Sequence, residues 1–299
     1  LGTIAEFIIY VNMLTWPVAS IGWVTSLIQE AEASQKRINE FLKQKPSILN
    51  TRELESNIGG AISFKNVHFT YEDTNIEALK GISFEVQKGQ TLAIIGNTGS
   101  GKSTILELIG RLYDVQKGDI KVDGKPIQSL NLNSLRSSIG FVPQDPFLFS
   151  DSLRNNIKFG KKKASDDEVK RASKVAVVHD NIINFKNGYD TVLGERGITL
   201  SGGQKQRVSI ARAFIKNPQI LLLDDCLSAV DTETEEQILN NIELVTKGKT
   251  TIIVSHRISS AKNADMIVVL NNGIITQQGA HQELINVEGY YKELYQNQL

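Results

Sequence analysis

The first 28 residues form the most apolar stretch of the chain. They contain no Lys or Arg, Glu6 is their only ionisable acid, and apolar side chains crowd 7–11, 16–19 and 21–24. Because about 20 apolar residues suffice to cross a bilayer, this stretch predicts a membrane-spanning helix, which Pro17 is expected to kink without ending. A buried core helix of a soluble domain has a similar pattern, and Glu6 and Asn12 favour that alternative.

Helical periodicity with mixed charge continues over 31–44, and Pro46 predicts the end of the helix. Basic residues follow the apolar stretch, and by the positive-inside tendency they predict that its carboxyl-terminal side faces the cytoplasm: Lys36, Arg37, Lys43, Lys45 and Arg52. Residues 46–60 are polar and contain Gly59 and Gly60, which predicts a linker.

Strand patterns begin after this linker. Ile62–Tyr71 and Ile82–Val86 alternate in polarity and are separated by a polar segment, which predicts an antiparallel sheet. Continuous apolar runs predict parallel strands buried on both faces, and they cover Thr91–Ile95, Gln219–Leu223 and Thr250–Val254.

Helical patterns rich in Lys, Asp and Glu fill 151–216, and another helix is predicted over Glu233–Val245. The sequence therefore predicts an α/β fold with an antiparallel subdomain and a helical insert, preceded by a long amino-terminal helix.

Composition adds limits to this prediction. The 33 basic and 33 acidic residues cancel, so no net field attracts nucleic acid, and a 40% apolar content suits a packed core. The single cysteine, Cys226, excludes an internal disulfide and favours a reducing compartment, with buried packing as its expected role. The amino terminus lacks the basic leader and cleavage site of a signal peptide, and its abrupt apolar start suggests a fragment of a longer protein.

The segment GNTGSGKST lies between a predicted strand and a predicted helix and matches the phosphate-loop pattern. Its glycines allow backbone N–H groups to point at phosphate oxygens, and the helix that follows presents its positive end to them. Candidate nucleotide-binding residues are Gly96, Asn97, Thr98, Gly99, Ser100, Gly101, Lys102, Ser103 and Thr104.

A second anion site is predicted where LSGGQ, residues 200–204, opens a helix. Together with the phosphate loop and the acidic strand end at Asp224, this motif resembles the nucleotide-binding domain of ATP-binding cassette (ABC) transporters, whose signature is LSGGQ. The resemblance covers 61–299 and implies a P-loop NTPase core that is similar to RecA. It also implies that 1–45 is the last transmembrane helix of an exporter-type half-transporter with its cytoplasmic extension.

The resemblance implies a role for each matching residue. Tyr71 would stack on adenine, with an edge-strand tyrosine as the alternative, while Ser201, Gly202, Gly203 and Gln204 would close over ATP bound to a partner. The implied Mg²⁺ ligands are Ser103, Gln144 and Asp224. The implied catalytic residues are Asp225, His256 and Gln144.

Asp225 is a departure from the family pattern, which has Glu as the general base at this position. Its carboxylate is one methylene shorter and falls back by about 1.5 Å. We therefore expect slow hydrolysis at this site and a possible heterodimer with a half that carries Glu. Leu193–Gly197 resembles an exporter loop that contacts intracellular helices, and Ser228–Asp231 resembles the loop that links two nucleotide sites across a dimer.

The implied partners are a second half-transporter, in a homodimer or heterodimer, and the chain's own membrane domain, with no nucleic acid. The implied location is the cell (inner) membrane with the nucleotide-binding domain facing the cytoplasm. A soluble cassette ATPase acting on ribosomes or DNA and a regulatory cassette that binds ATP without hydrolysing it are the alternatives. The sequence specifies no transported substrate.

Overall fold

The computed structural model describes residues 2–50, 55–197 and 199–298, without the side chain of Arg196. Arg52 and part of the predicted 46–60 linker lie outside these residues. The chain separates into two units, Leu1–Ser47 and Ile48–Leu299.

The first unit contains helix α1, Gly2–Lys43, which runs unbroken through Pro17 and ends three residues before Pro46. None of its described residues is buried. The hydroxyls of Thr15, Ser20 and Thr25 donate to backbone carbonyls one turn earlier in the helix, so these polar groups need no external partner. Among the described residues α1 is the one helix long and apolar enough to cross a membrane, with a mean hydropathy of 1.5 over its most apolar window.

The second unit contains two sheets. The strands are β1 Ile62–Tyr71, β2 Ile76–Val86, β3 Thr91–Gly96, β4 Lys117–Val122, β5 Lys125–Pro126, β6 Ile139–Val142, β7 Ile220–Asp224, β8 Thr250–Val254, β9 Met266–Asn271 and β10 Ile274–Gly279. An antiparallel sheet has the order β2-β1-β4-β5, and a six-stranded sheet has the order β10-β9-β3-β8-β7-β6.

Helices fill the connections between these strands. They are α2 Lys102–Ile109, α3 Leu132–Ser138, α4 Leu153–Lys158, α5 Asp166–Val175, α6 His179–Ile183, α7 Gly202–Phe214, α8 Thr232–Val245, α9 Ile258–Ala261, α10 His281–Leu284 and α11 Tyr290–Gln298. The predicted α/β class is confirmed, including the long amino-terminal helix. Helices α4 to α7 lie between β6 and β7.

The continuous apolar runs form the centre of the larger sheet, as predicted. Strand β8 pairs in parallel with both β3 and β7, and every residue of β7 and β8 is buried. Since both faces of these strands are covered, polar side chains at their carboxyl ends emerge at one common edge.

The start of β2 shows the largest difference from the predicted strand boundaries, whereas the ends of β3 and β7 are shifted by one residue. Strand β2 starts at Ile76, six residues before the predicted start at Ile82, because residues 76–81 continue the hairpin with β1, with Leu79 paired to Phe69. The two sheets meet here, where the Lys80 N–H donates to the Gly273 carbonyl at 2.9 Å.

Candidate functional site

The phosphate loop connects β3 to α2 along a tight path. At Gly101 φ is +98°, and a Cβ atom there would lie 2.5 Å from the carbonyl oxygen of Ala78. At Gly96 a Cβ would lie 2.1 Å from the carbonyl oxygen of Leu270. Residues with side chains are therefore excluded sterically at both positions, and the backbone can turn its N–H groups towards a ligand.

Lys102 is buried inside this loop. Its ammonium group donates to the carbonyl oxygens of Gly96 at 2.9 Å and Asn97 at 2.8 Å. Burial lowers the pKa of Lys102, while Asp225 and Asp224 partly offset this change. The ammonium group of Lys102 thus lies next to the loop, where it can bind a phosphate oxygen.

Ser103 and Asp224 bring a hydroxyl and a carboxylate together. The Ser103 hydroxyl, at the start of α2, donates to Oδ1 of Asp224, at the end of β7, over 3.0 Å. Burial raises the pKa of Asp224, and the hydrogen bond from Ser103 partly opposes that rise. Paired oxygen atoms of this kind are the ligands that Mg²⁺ prefers.

Asp225 and His256 lie next to this pair. Asp225 has φ of +40°, a left-handed conformation that Asp tolerates better than most residues, and its N–H donates to the Val254 carbonyl at 2.9 Å. Burial raises the pKa of Asp225, while the neighbouring His256 and Lys102 partly lower it.

Burial also lowers the pKa of His256, and the positive charge of Lys102 lowers it further. The imidazole is therefore neutral near pH 7, with one ring nitrogen able to donate a hydrogen bond and the other able to accept one. A carboxylate and a neutral imidazole at the same edge can act as a proton acceptor and a hydrogen-bond donor.

These residues line one cleft of about 560 Å³ at the carboxyl edge of the larger sheet. Its lining includes most of the candidates from the sequence, namely Tyr71, Thr98, Gly99, Gly101, Lys102, Ser103, Thr104, Gln144, Asp224, Asp225 and His256. Gly96, Asn97 and Ser100 belong to the same loop, although they do not line the cleft.

Tyr71 forms one end of the cleft. Its hydroxyl donates to Glu107 Oε2 at 2.8 Å and lies 2.9 Å from Thr104 Oγ1, while its ring makes edge contacts with Phe69 and Tyr113. Burial, with Glu107 adding to it, raises the pKa of Tyr71 to about 12. The ring is therefore held between strand β1 and helix α2 as a neutral phenol.

The segment 201–204 does not line this cleft. Ser201 caps α7: its hydroxyl accepts from the Gln204 N–H at 3.3 Å, and its own N–H donates to Gln204 Oε1 at 3.0 Å. The turn packs on the following loop, where a Cβ at Gly203 would lie 2.9 Å from the Ala229 carbonyl oxygen. Ser201 is exposed, so the turn presents its serine to solvent.

Sequence reasoning missed three residues that bond to residues of the cleft or to the segment beside His256. Glu107 accepts from Tyr71, Glu235 accepts from Ser259 and Ser260, and Gln298 bonds the backbone beside His256. Glu107 follows the phosphate loop by one helical turn, but the sequence gives no sign of its contact with Tyr71, because each of these contacts joins elements that are distant in the sequence.

Comparison with known proteins gives the same picture as the motifs. The family model described as "ABC transporter" matches residues 79–228. The chain is 44% identical over 299 residues to the "Probable multidrug resistance ABC transporter ATP-binding/permease protein YheI" of Bacillus subtilis (strain 168), covering 100% of this chain and 51% of that protein. It is 42% identical over 298 residues to the "Multidrug resistance-like ATP-binding protein MdlA" of Escherichia coli (strain K12), covering 50% of that protein.

A solved structure is also similar. The "Structure of a bacterial Atm1-family ABC exporter with ATP bound" superposes with a TM-score of 0.86 at 39% identity, covering 97% of this chain and 51% of that chain. The present chain thus spans about half the length of these relatives.

Proposed function

Since the chain belongs to the ABC transporter family, we propose that residues 61–299 form a nucleotide-binding domain that binds and hydrolyses ATP to drive export. The observation that carries this proposal is the single cleft that contains Tyr71, Lys102, Asp225 and His256. Adenine would stack on Tyr71, and the triphosphate would lie along 96–104 with Lys102 beside its terminal phosphates.

The same cleft supports a site for Mg²⁺. Ser103, Asp224 and Gln144 offer a hydroxyl, a carboxylate and an amide oxygen, and Mg²⁺ binds few protein oxygens together with phosphates and water. Among the described residues no three His, Cys, Asp or Glu side chains form a metal cluster. When bound, Mg²⁺ would neutralise the charge that develops on the phosphate oxygens.

Hydrolysis would depend on Asp225, Gln144 and His256. Asp225 would accept a proton from the attacking water, Gln144 would orient that water, and the neutral imidazole of His256 would donate a hydrogen bond to the γ-phosphate. The shorter carboxylate of Asp225 would make this step slow, so a heterodimer with a second, faster site fits this chain.

A second nucleotide-binding domain would complete the site. Ser201–Gln204 lie outside the cleft of their own chain and are presented to solvent at the start of α7. We infer that they close over ATP bound to the partner, because the helix end and the hydroxyl would offset phosphate charge between the two surfaces.

The chain's own membrane domain would bind a separate groove. This groove, of about 300 Å³, is lined by Phe141, Phe159 and Arg212 among others, and Phe141 and Phe159 are 39% and 56% exposed. Phe141 lies three residues before Gln144, which lines the nucleotide cleft. The segment 141–144 could therefore transmit ATP binding to the membrane domain.

Helix α1 would be part of that membrane domain. At 1.5 Å per residue it is about 63 Å long, twice the hydrocarbon thickness of a bilayer, so its apolar half could span while its charged half extends into the cytoplasm. We propose residues 1–45 as this segment, 46–60 as the linker and the cell (inner) membrane as the location.

The experiment that tests this function measures ATP affinity and ATP hydrolysis by the full-length transporter in lipid vesicles. Lys102→Ala should lower ATP affinity by about tenfold or more, since it removes charge-assisted hydrogen bonds, whereas Lys88→Ala should leave it unchanged. Lys88 is an exposed lysine outside the cleft. Equal ATP affinity in both variants would overturn the proposed nucleotide site.

Association of two domains is tested by cross-linking. Cys226, the one cysteine of these 299 residues, is buried, so Thr98→Cys and Ser201→Cys can be introduced, with each single variant as the control for other cross-links. ATP should promote a Thr98→Cys to Ser201→Cys disulfide between two molecules, or between this chain and its partner half. A species that stays uncross-linked at saturating ATP would contradict the composite site.

A further inference from the structure

The side-chain amide of Gln298 bonds the backbone on both sides of Arg257. Its Nε2 donates to the carbonyl oxygen of His256 at 2.8 Å, and its Oε1 accepts from the N–H of Ile258 at 2.8 Å. The neutral amide thus supplies a donor to one backbone carbonyl and an acceptor to one backbone N–H, the same pair of bonds that a neighbouring strand would supply. The contact joins the last turn of α11 to a segment 42 residues earlier in the chain.

Helix α11 is fixed firmly enough to hold that segment. Tyr291 is fully buried in a cluster with Ile258 and Ala261, and Leu294 packs against the same cluster. The Tyr291 hydroxyl lies 2.8 Å from Nδ1 of His281. The position of the Gln298 amide is therefore set by packing several residues away from it.

The held segment includes His256, which lines the nucleotide cleft. Asp225 lines the same cleft, and its N–H donates to the carbonyl oxygen of Val254, two residues before His256. A shift of the His256 backbone would therefore move the imidazole relative to Asp225.

Glu235 and Ser228 hold the same segment through the side chain of Arg257. Arg257 forms an ion pair with Glu235, whose side chain is 2% exposed, and donates to the carbonyl oxygen of Ser228 at 3.1 Å. Glu235 also accepts from the hydroxyls of Ser259 and Ser260 at 2.8 Å. The side chain of Arg257 is fixed in this way, and Gln298 fixes the two backbone groups that flank Arg257, the His256 carbonyl and the Ile258 N–H.

We propose that Gln298 is a positioning residue for ATP hydrolysis, which holds the His256 backbone so that its imidazole meets the γ-phosphate. The inference rests on the proposed function, because it assigns His256 a role in the hydrolytic step. Gln298 does not line the cleft, so it acts through the His256 peptide and not through contact with nucleotide.

The test compares Gln298→Ala with Gln296→Ala in the full-length transporter in lipid vesicles. Gln296 is exposed on the same helix and serves as the matched control. Gln298→Ala should lower kcat by about tenfold, because displacing a catalytic group by about 1 Å can lower the reaction rate by up to about 100-fold. The KM for ATP and the equilibrium affinity for a non-hydrolysable ATP analogue should stay within about twofold.

Hydrogen exchange supplies a second readout that is independent of turnover. The Ile258 amide should exchange faster in Gln298→Ala than in Gln296→Ala, because it loses its acceptor. A kcat for Gln298→Ala equal to that of the control would overturn the positioning role. If the unmodified transporter does not hydrolyse ATP, the proposed function fails, and equal exchange in both variants would separately overturn the backbone clamp.

Discussion

Ser103 and Asp224 are hydrogen-bonded across the cleft, with 3.0 Å between the hydroxyl and Oδ1, although they are 121 positions apart in the chain. Strands β3 and β7 pair with opposite edges of β8, so the start of α2 and the end of β7 meet beside it. This contact brings together the two oxygen atoms that would bind Mg²⁺.

Ser103→Ala should therefore remove one proposed metal ligand and leave the phosphate loop intact. Mg²⁺ should raise the ATP affinity of both proteins, but we expect this gain to be about tenfold smaller in the variant than in the unmodified protein, since one charge-assisted contact is lost. Titrations of ATP with and without Mg²⁺ measure this difference. Ser103→Thr keeps the hydroxyl and is the control, and loss of the Mg²⁺ effect in Ser103→Thr as well would argue against direct ligation.

Asp225→Glu should raise the rate of hydrolysis. The longer side chain extends the carboxylate by about 1.5 Å towards the water, which we expect to increase kcat by about tenfold to 100-fold. Glu is less suited than Asp to the left-handed backbone at this position, so the thermal midpoint should fall slightly. Steady-state assays of the assembled transporter provide the measurement, and an unchanged rate would exclude Asp225 as the cause of slow turnover.

Two substitutions of Tyr71 should separate its ring from its hydroxyl. Tyr71→Ala should weaken ATP binding by about 1–3 kcal/mol, the usual contribution of a stacked base. Tyr71→Phe keeps the ring and loses the bonds to Thr104 and Glu107, so it should reduce stability by about 1 kcal/mol with little change in ATP affinity. Calorimetric titration and denaturant unfolding test these two expectations, and equal affinity of both variants would show that the ring does not stack.

His256 should make stability depend on pH. Its pKa in the folded protein is lowered from 6.5 by burial and Lys102, so the unfolded chain binds more protons below pH 6.5. The unmodified protein should therefore lose stability relative to His256→Gln as pH falls through and below 6.5, whereas above 6.5 the difference should be constant. Denaturant unfolding of the detergent-solubilised chain at several pH values measures this difference in the free energy of unfolding.

His281, whose pKa is also lowered by burial, is present in both proteins, so its contribution cancels in the difference. A difference that does not vary with pH would contradict a perturbed His256.

The sequence alone was sufficient for the α/β class, the phosphate loop and the amino-terminal helix. Buried parallel strands such as β8 need apolar residues on both faces, and the strong local pattern at 96–104 has few structural alternatives. Strand β2 was predicted too short because its first residues are held in the strand by pairing with β1, which no local pattern reveals.

Only the tertiary structure decided which side chains meet around His256. Helical spacing in α11 gives no indication that Gln298 bonds a peptide 42 residues away, or that Glu235 accepts from Ser259, Ser260 and Arg257. The left-handed backbone of Asp225 is likewise fixed by its bond to Val254 on the adjacent strand. Local periodicity records which residues are buried, whereas hydrogen bonds between distant segments depend on how strands and helices are arranged in space.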